Sequence, residues 1–181
     1  MSKTMVLTAV GRDRIGIVSE VADLLYKLGC NLLDSSMTLL RGEFAIILMV
    51  RLPEGETIAD LERKLSAVED QIGLNIHVRE LSEDEMAESV QSGSLHMISV
   101  YGADRPGIVA GVTRRLAEMG VNITDVETKW TNEGPETIFV MILEATVPSN
   151  VPTRAVETAL AQISEELGVD VSVQAVEVYE L

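Results

Sequence analysis

The sequence predicts an α+β protein built from two copies of one βαββαβ module. Three observations lead there. The octet Gly11-Arg-Asp-Arg-Ile-Gly-Ile-Val18 returns as Gly102-Ala-Asp-Arg-Pro-Gly-Ile-Val109, so the chain repeats itself at an offset of 91. Around each octet a β-forming run gives way to a helical period and then to two further strand-like runs. The balance of 46% hydrophobic and 24% charged residues is that of a globular chain, and aromatics at 3% make its core aliphatic. The 181 residues divide into a first module at 1–81, an acidic linker at 82–94 and a second module at 95–181.

The first module opens with a strand from Lys3 to Val10, rich in Thr and Val and ended by Gly11. Ile17, Val18, Val21, Leu24, Leu25 and Leu28 then fall at helical spacing, with Asp13 as candidate N-cap and Gly29 as the stop. Two strands follow, Cys30–Arg41 and Glu43–Arg51, joined by a tight turn at Arg41-Gly42. The second of them, Phe44-Ala-Ile-Ile-Leu-Met-Val50, is apolar on both faces, as expected of a central strand whose sheet is covered on each side. After the turn at Pro53-Glu54-Gly55, Thr57 caps a helix carrying Ile58, Leu61, Leu65, Val68 and Ile72 on one stripe and closing at Gly73. Leu74–Leu81 is the last strand.

Residues 82–94 are polar and acidic, with a short helical turn expected around Asp84 to Val90. The second module repeats the order: a strand Leu95–Tyr101, a helix burying Ile108, Val109, Val112, Leu116 and Met119, then strands Asn122–Thr131 and Glu136–Thr146 joined through Asn132–Pro135. A helix from Thr153 with Val156, Leu160, Ile163 and Leu167 inward and a strand Val169–Val178 complete it. Right-handed crossovers in this order put four antiparallel strands in one layer and two helices on one face, a ferredoxin-like sandwich. The two-sided apolar strands predict that the other face is covered as well, by the other module, a second chain or a partner, so a homo-oligomer is expected.

A net charge of −15, divided as −3, −4 and −8 over the three segments, repels phosphate and argues against direct contact with nucleic acid or an anionic membrane. The longest apolar run, Phe44–Val50, is too short to span a bilayer, the start lacks a signal-peptide pattern, and one cysteine makes no disulfide framework; a cytoplasmic protein is the expectation. His77 and His96 stand alone on strands and Cys30 follows a helix stop, so none has a metal-ligand partner at useful spacing. Arg114-Arg115 reads as a solvated helix face and Trp130 as an interface candidate.

Identity between the modules concentrates in the octet and the start of the next strand: Asp13, Arg14, Gly16, Ile17, Gly29, Asn31 and Asp34 match Asp104, Arg105, Gly107, Ile108, Gly120, Asn122 and Asp125. A strand-to-helix loop presents free backbone N–H groups at the positive end of a helix dipole, a ready anion site. A glycine there admits a close ligand, and an asparagine amide offers both donor and acceptor. The same residues also suit turns and caps, so the pattern alone leaves binding and folding roles open.

The run Asp-Arg-Pro-Gly-Ile-Val opening a helix, followed by Gly-x-Asn-Ile entering a strand, resembles an ACT domain, and the chain throughout resembles tandem ACT proteins, most of all the glycine cleavage system transcriptional repressor group. That resemblance implies an amino-acid-binding regulatory module without catalysis of its own and without a cofactor. It implies ligand sites where two ACT modules meet, one lined by Asp13, Arg14, Gly16, Ile17 and Asn31 and one by Asp104, Arg105, Gly107, Ile108 and Asn122. It also implies glycine as the amino acid and a partner transcription factor in place of direct DNA contact. Ile15 departs from the family's proline, present here as Pro106, which predicts two unequal sites. The rival enzyme reading is an acylphosphatase-like hydrolase on the same topology, with Arg14 and Asn31, or Arg105 and Asn122, holding a phosphate and a water. A ligand-free protein-interaction module is the other alternative. An RNA-recognition module lacks its stacking aromatics.

Overall fold

The computed structural model describes residues 3–82, 85, 93–131 and 137–176. The chain divides into two compact units, Met1–Ser89 and Val90–Leu181. In the first, β1 (Thr4–Arg12), α1 (Ile17–Lys27), β2 (Asn31–Leu40), β3 (Glu43–Arg51), α2 (Ile58–Ile72) and β4 (Leu74–Leu81) form an antiparallel sheet in the order β2-β3-β1-β4. In the second, β5 (Gly93–Ala103), α3 (Ile108–Glu118), β6 (Asn122–Thr131), β7 (Ile138–Pro148), α4 (Thr153–Leu167) and β8 (Val169–Ala175) repeat it as β6-β7-β5-β8. This is the α+β, twice-repeated ferredoxin-like fold that the pattern predicts. Apart from Glu85, the turn expected around Asp84 to Val90 lies outside the described residues, as do the Asn132–Pro135 turn, Glu136 and the end of the last expected strand, Glu177-Val178.

Each core lies between the sheet's inner face and its helices. Leu7, Phe44, Leu48, Leu61, Leu65 and Val21 fill the first, and Ile98, Val100, Val112, Leu116, Met141 and Leu160 the second. The strict alternation of β3, with Phe44, Ile46, Leu48 and Val50 buried, sends Ile47 and Met49 to the far side. There Val10 and Ile47, and in the second unit Met97, Tyr101 and Ile142, remain partly exposed. The edge strands β2 and β6 are exposed almost along their whole length.

The chain punctuation matches the physical reasons for it. Arg41 and Gly42 take φ of 50° and 86°, the left-handed pair of a two-residue hairpin. Thr57 caps α2 by accepting from the Asp60 N–H at 3.2 Å. Helices α1 and α3 end in the same motif: Gly29 and Cys30 donate to Tyr26 and Leu25, and Gly120 and Val121 to Ala117 and Leu116.

Three expectations change. Val109, expected to be buried by α3, is 41% exposed, and the helix buries Ile108, Val112 and Leu116. The first strand of each unit runs on through the repeated glycine, to Arg12 and to Ala103, and β5 starts at Gly93, inside the segment read as linker. Asp13 and Asp104 are not N-caps: Gly16 and Gly107 hold that position, and neither helix has a side-chain cap. The backbone N–H groups of Asp13 and Asp104 tie each loop to the start of the neighbouring strand, at Gly42 O (2.9 Å) and Thr137 O (3.0 Å).

Candidate functional site

The repeated loop is a turn whose chemistry can be read residue by residue. Gly16 has φ 89°, ψ −3°, and the Ile17 N–H reaches Arg14 O at 3.3 Å, so Arg14-Ile15-Gly16-Ile17 is a type II turn with glycine where φ must be positive. Gly107, at φ 99°, ψ −9°, reproduces it behind Pro106, the residue best suited to the preceding turn position. Ile15 and Pro106 therefore serve one backbone, and the substitution leaves Ile15 fully exposed without displacing the helix start.

Ile17 and Ile108 are core anchors, 3% and 2% exposed, so they hold the loop down. The first repeated glycine has a steric reason. A Cβ on Gly11 would stand 2.9 Å from Leu74 Cδ2 and closer still to the Gly73 carbonyl oxygen, and one on Gly102 would stand 2.8 Å from Val169 Cγ1. What remains available to a ligand is the first turn of each helix, whose leading N–H groups have no side-chain cap.

The arginines differ between the units. Arg14 makes a two-pronged contact with Glu20, Nη1 donating to Oε1 at 2.6 Å and Nη2 to Oε2, and Nη2 also donates to the Ile72 carbonyl at 2.9 Å, in the last turn of α2. The hydrogen bond and charge of Glu20 push the Arg14 guanidinium up, and the same bond holds the Glu20 carboxyl below its ordinary range. Arg105 is exposed, with Nη1 3.6 Å from where a Cβ on Gly168 would stand at the end of α4, and among the described residues it has no hydrogen bond or ion pair.

The asparagines do not join their own loops. Asn31 pairs with Arg51 at one end of β3, whereas the loop adjoins Glu43 and Gly42 at the other. Along β3 that is roughly 25 Å at about 3.3 Å per residue. Asn122, opposite Thr146, is likewise far from Ala103 opposite Ile138. Arg14 and Asn31 of one unit thus cannot hold one phosphate and its water, and the same holds for Arg105 and Asn122, which removes the geometric basis of the acylphosphatase-like reading. A register shift follows each asparagine, between Leu32 and Asp34 and between Ile123 and Asp125, so the repeated aspartates mark a β-bulge.

Sequence reasoning passed over Glu20, because its partner in the repeat is Gly111 and identity was the guide. Arg114, exposed on its helix as expected, stands with Thr113 beside Asn122 on one groove between α3 and β6. Among the described residues no group of three His, Cys, Asp or Glu side chains is placed to hold a metal. No helix there is long and apolar enough to cross a membrane.

Two α+β sandwiches, each with a glycine turn feeding a helix that has no side-chain cap, thus repeat one module along the chain. The chain belongs to the ACT-domain family, whose model matches residues 3–79 and again 95–174. It is 38% identical over 84 residues to the UPF0237 protein of Methanopyrus kandleri, covering 46% of this chain and 89% of that one. The crystal structure of an unknown protein from Galdieria sulphuraria is similar along 98% of this chain and 100% of that one, at 31% identity and a TM-score of 0.78. A crystal structure described as that of a glycine cleavage system transcriptional repressor shares the fold at 21% identity, over 98% of this chain and 99% of that one, with a TM-score of 0.76.

Proposed function

We propose that this ACT-domain regulatory protein senses an amino acid and passes the signal to a protein partner. The modules are assigned to 1–81 and, from the start of β5, 93–181, joined by an acidic linker. The single observation that carries the reading is the pair of uncapped helix starts behind glycine turns, which offer backbone donors and a positive dipole end to a carboxylate. Asp13, Arg14, Gly16 and Ile17, with Asp104, Arg105, Gly107 and Ile108, form the loop halves of the sites. Since Asn31 and Asn122 sit at the far ends of their own sheets from the loops, each completes the loop of a second copy of the chain in this reading. The exposed edges of β2 and β6 and the half-exposed outer faces suit such pairing, so the protein is a homo-oligomer in this reading.

The likeness to a structure described as a glycine cleavage repressor makes glycine the first amino acid to test and repression of glycine cleavage the first process. With a charge of −15, action through a transcription factor in the cytoplasm is favoured over direct DNA contact. Thermal unfolding in the presence of each of the twenty amino acids tests the reading. An amino acid at a hundred times its dissociation constant adds about 2.7 kcal/mol. No shift with any of them leaves a ligand-free interaction module as the better account.

A further inference from the structure

The two loops share a backbone but not the state of their arginines, and the difference traces to one position in the repeat. Glu20, in the first turn of α1, corresponds to Gly111 in α3, whose first turn has no acidic residue. In the first unit the Glu20 carboxylate grips Arg14 with both oxygens while Ile72 O takes a further donor. In the second, a Cβ on Gly111 would come within 3.0 Å of Leu167 Cδ1, so apolar packing stands where the acid would start, and exposed Arg105 keeps its guanidinium uncommitted among the described residues. A bidentate carboxylate on an arginine is the contact an amino acid's own carboxylate would make.

We propose that Glu20 is a built-in occupant of the first loop, a carboxylate that fills Arg14 so that the second module alone takes the amino acid. This rests on the amino-acid reading above. A carboxylate six residues away on the same chain competes at an effective concentration of millimolar order or higher, so a free amino acid whose carboxylate binds Arg14 no more tightly has to exceed that level to displace it. The loop of the first module keeps its fold and its place in the assembly, and sensing is left to Arg105 and the start of α3. Glu20 is then the residue that decides how many amino acids one chain binds.

The test uses the full chain, the Arg105→Ala and Glu20→Ala variants, and each of the twenty amino acids, with circular dichroism to confirm that both variants fold. The expected result is a thermal shift with at least one amino acid in the unaltered protein, lost in Arg105→Ala. Calorimetric titration with that amino acid then gives one bound per chain, rising to two in Glu20→Ala. The inference is overturned if Arg105→Ala keeps the shift, if the unaltered protein already binds two per chain, or if Glu20→Ala still binds one. Absence of a shift in all three proteins refutes the amino-acid reading itself, and this inference with it. A shift confined to Glu20→Ala refutes the assignment to the second module while leaving Glu20 as the occupant of the first loop.

Discussion

Gly11→Ala is the most discriminating test of how the repeated octet is built, because Gly11 is repeated for a reason unrelated to any ligand. The backbone there is extended and any residue can adopt it; the obstacle is space. The new methyl would meet Leu74 Cδ2 at 2.9 Å and the carbonyl oxygen of Gly73 more closely. Leu74 can turn away, but Gly73 is the left-handed stop of α2, held by its N–H on Glu69 O at 2.8 Å, so the carbonyl moves only if the helix end moves. Overpacking of this kind costs about 1–3 kcal/mol, and the entropy removed from the unfolded chain returns about 0.4–1 kcal/mol, for a net loss of about 1.3 kcal/mol. In a unit of this size each kcal/mol moves the midpoint by roughly 4–8 °C. Melting followed by circular dichroism should therefore show the first unit unfolding roughly 5–10 °C early. Gly16→Ala meets open space and pays only for its positive φ, about 1–2 kcal/mol. A Gly11→Ala protein that melts with the unaltered one would refute the steric account.

Ile15→Pro gives the first turn the residue of the second and should stabilise the first unit by about 0.4–1 kcal/mol in urea unfolding, with no change of m-value. His96 is fully buried, with Nδ1–H donating to Ser94 O and Nε2 paired to the Thr153 hydroxyl, both at 3.0 Å. His96→Ala should cost about 3–4 kcal/mol, through a cavity and two unpaired groups. His96→Met, copying the buried Met5 of the first unit, should cost about half that, and calorimetry separates the two. Because Arg14 lowers the Glu20 pKa in the folded state, the pair's contribution is present above the ordinary value of 4.5 and fades as pH falls through the depressed one. The stability gap between the unaltered protein and Glu20→Gln should close on acidification below that value.

The elements were legible because periodicity and punctuation agree in this chain. The stripe Leu61, Leu65, Ile72 and the alternation Phe44, Ile46, Leu48, Val50 each allow one buried face, and Gly29, Gly73 and Gly120 close their helices where the pattern places them. The candidate site was legible only as a set of repeated letters. Repetition could not separate Gly11, kept for space, and Gly16, kept for a type II turn, from residues kept for a ligand. It could not show that Asn31 lies at the far end of its sheet from the loop, since that follows from antiparallel register and not from spacing. It also concealed Glu20, whose importance is that its counterpart, Gly111, differs.

The most direct measurement is an amide NMR titration of the full chain with glycine and then with each other amino acid. The proposed function predicts saturable shifts at the first-turn amides of a loop helix, Val109 and Ala110 foremost, together with shifts at the asparagine that begins a β2-type edge, Asn31 or Asn122, in the same titration. Saturable shifts confined elsewhere, or none with any amino acid, would contradict it.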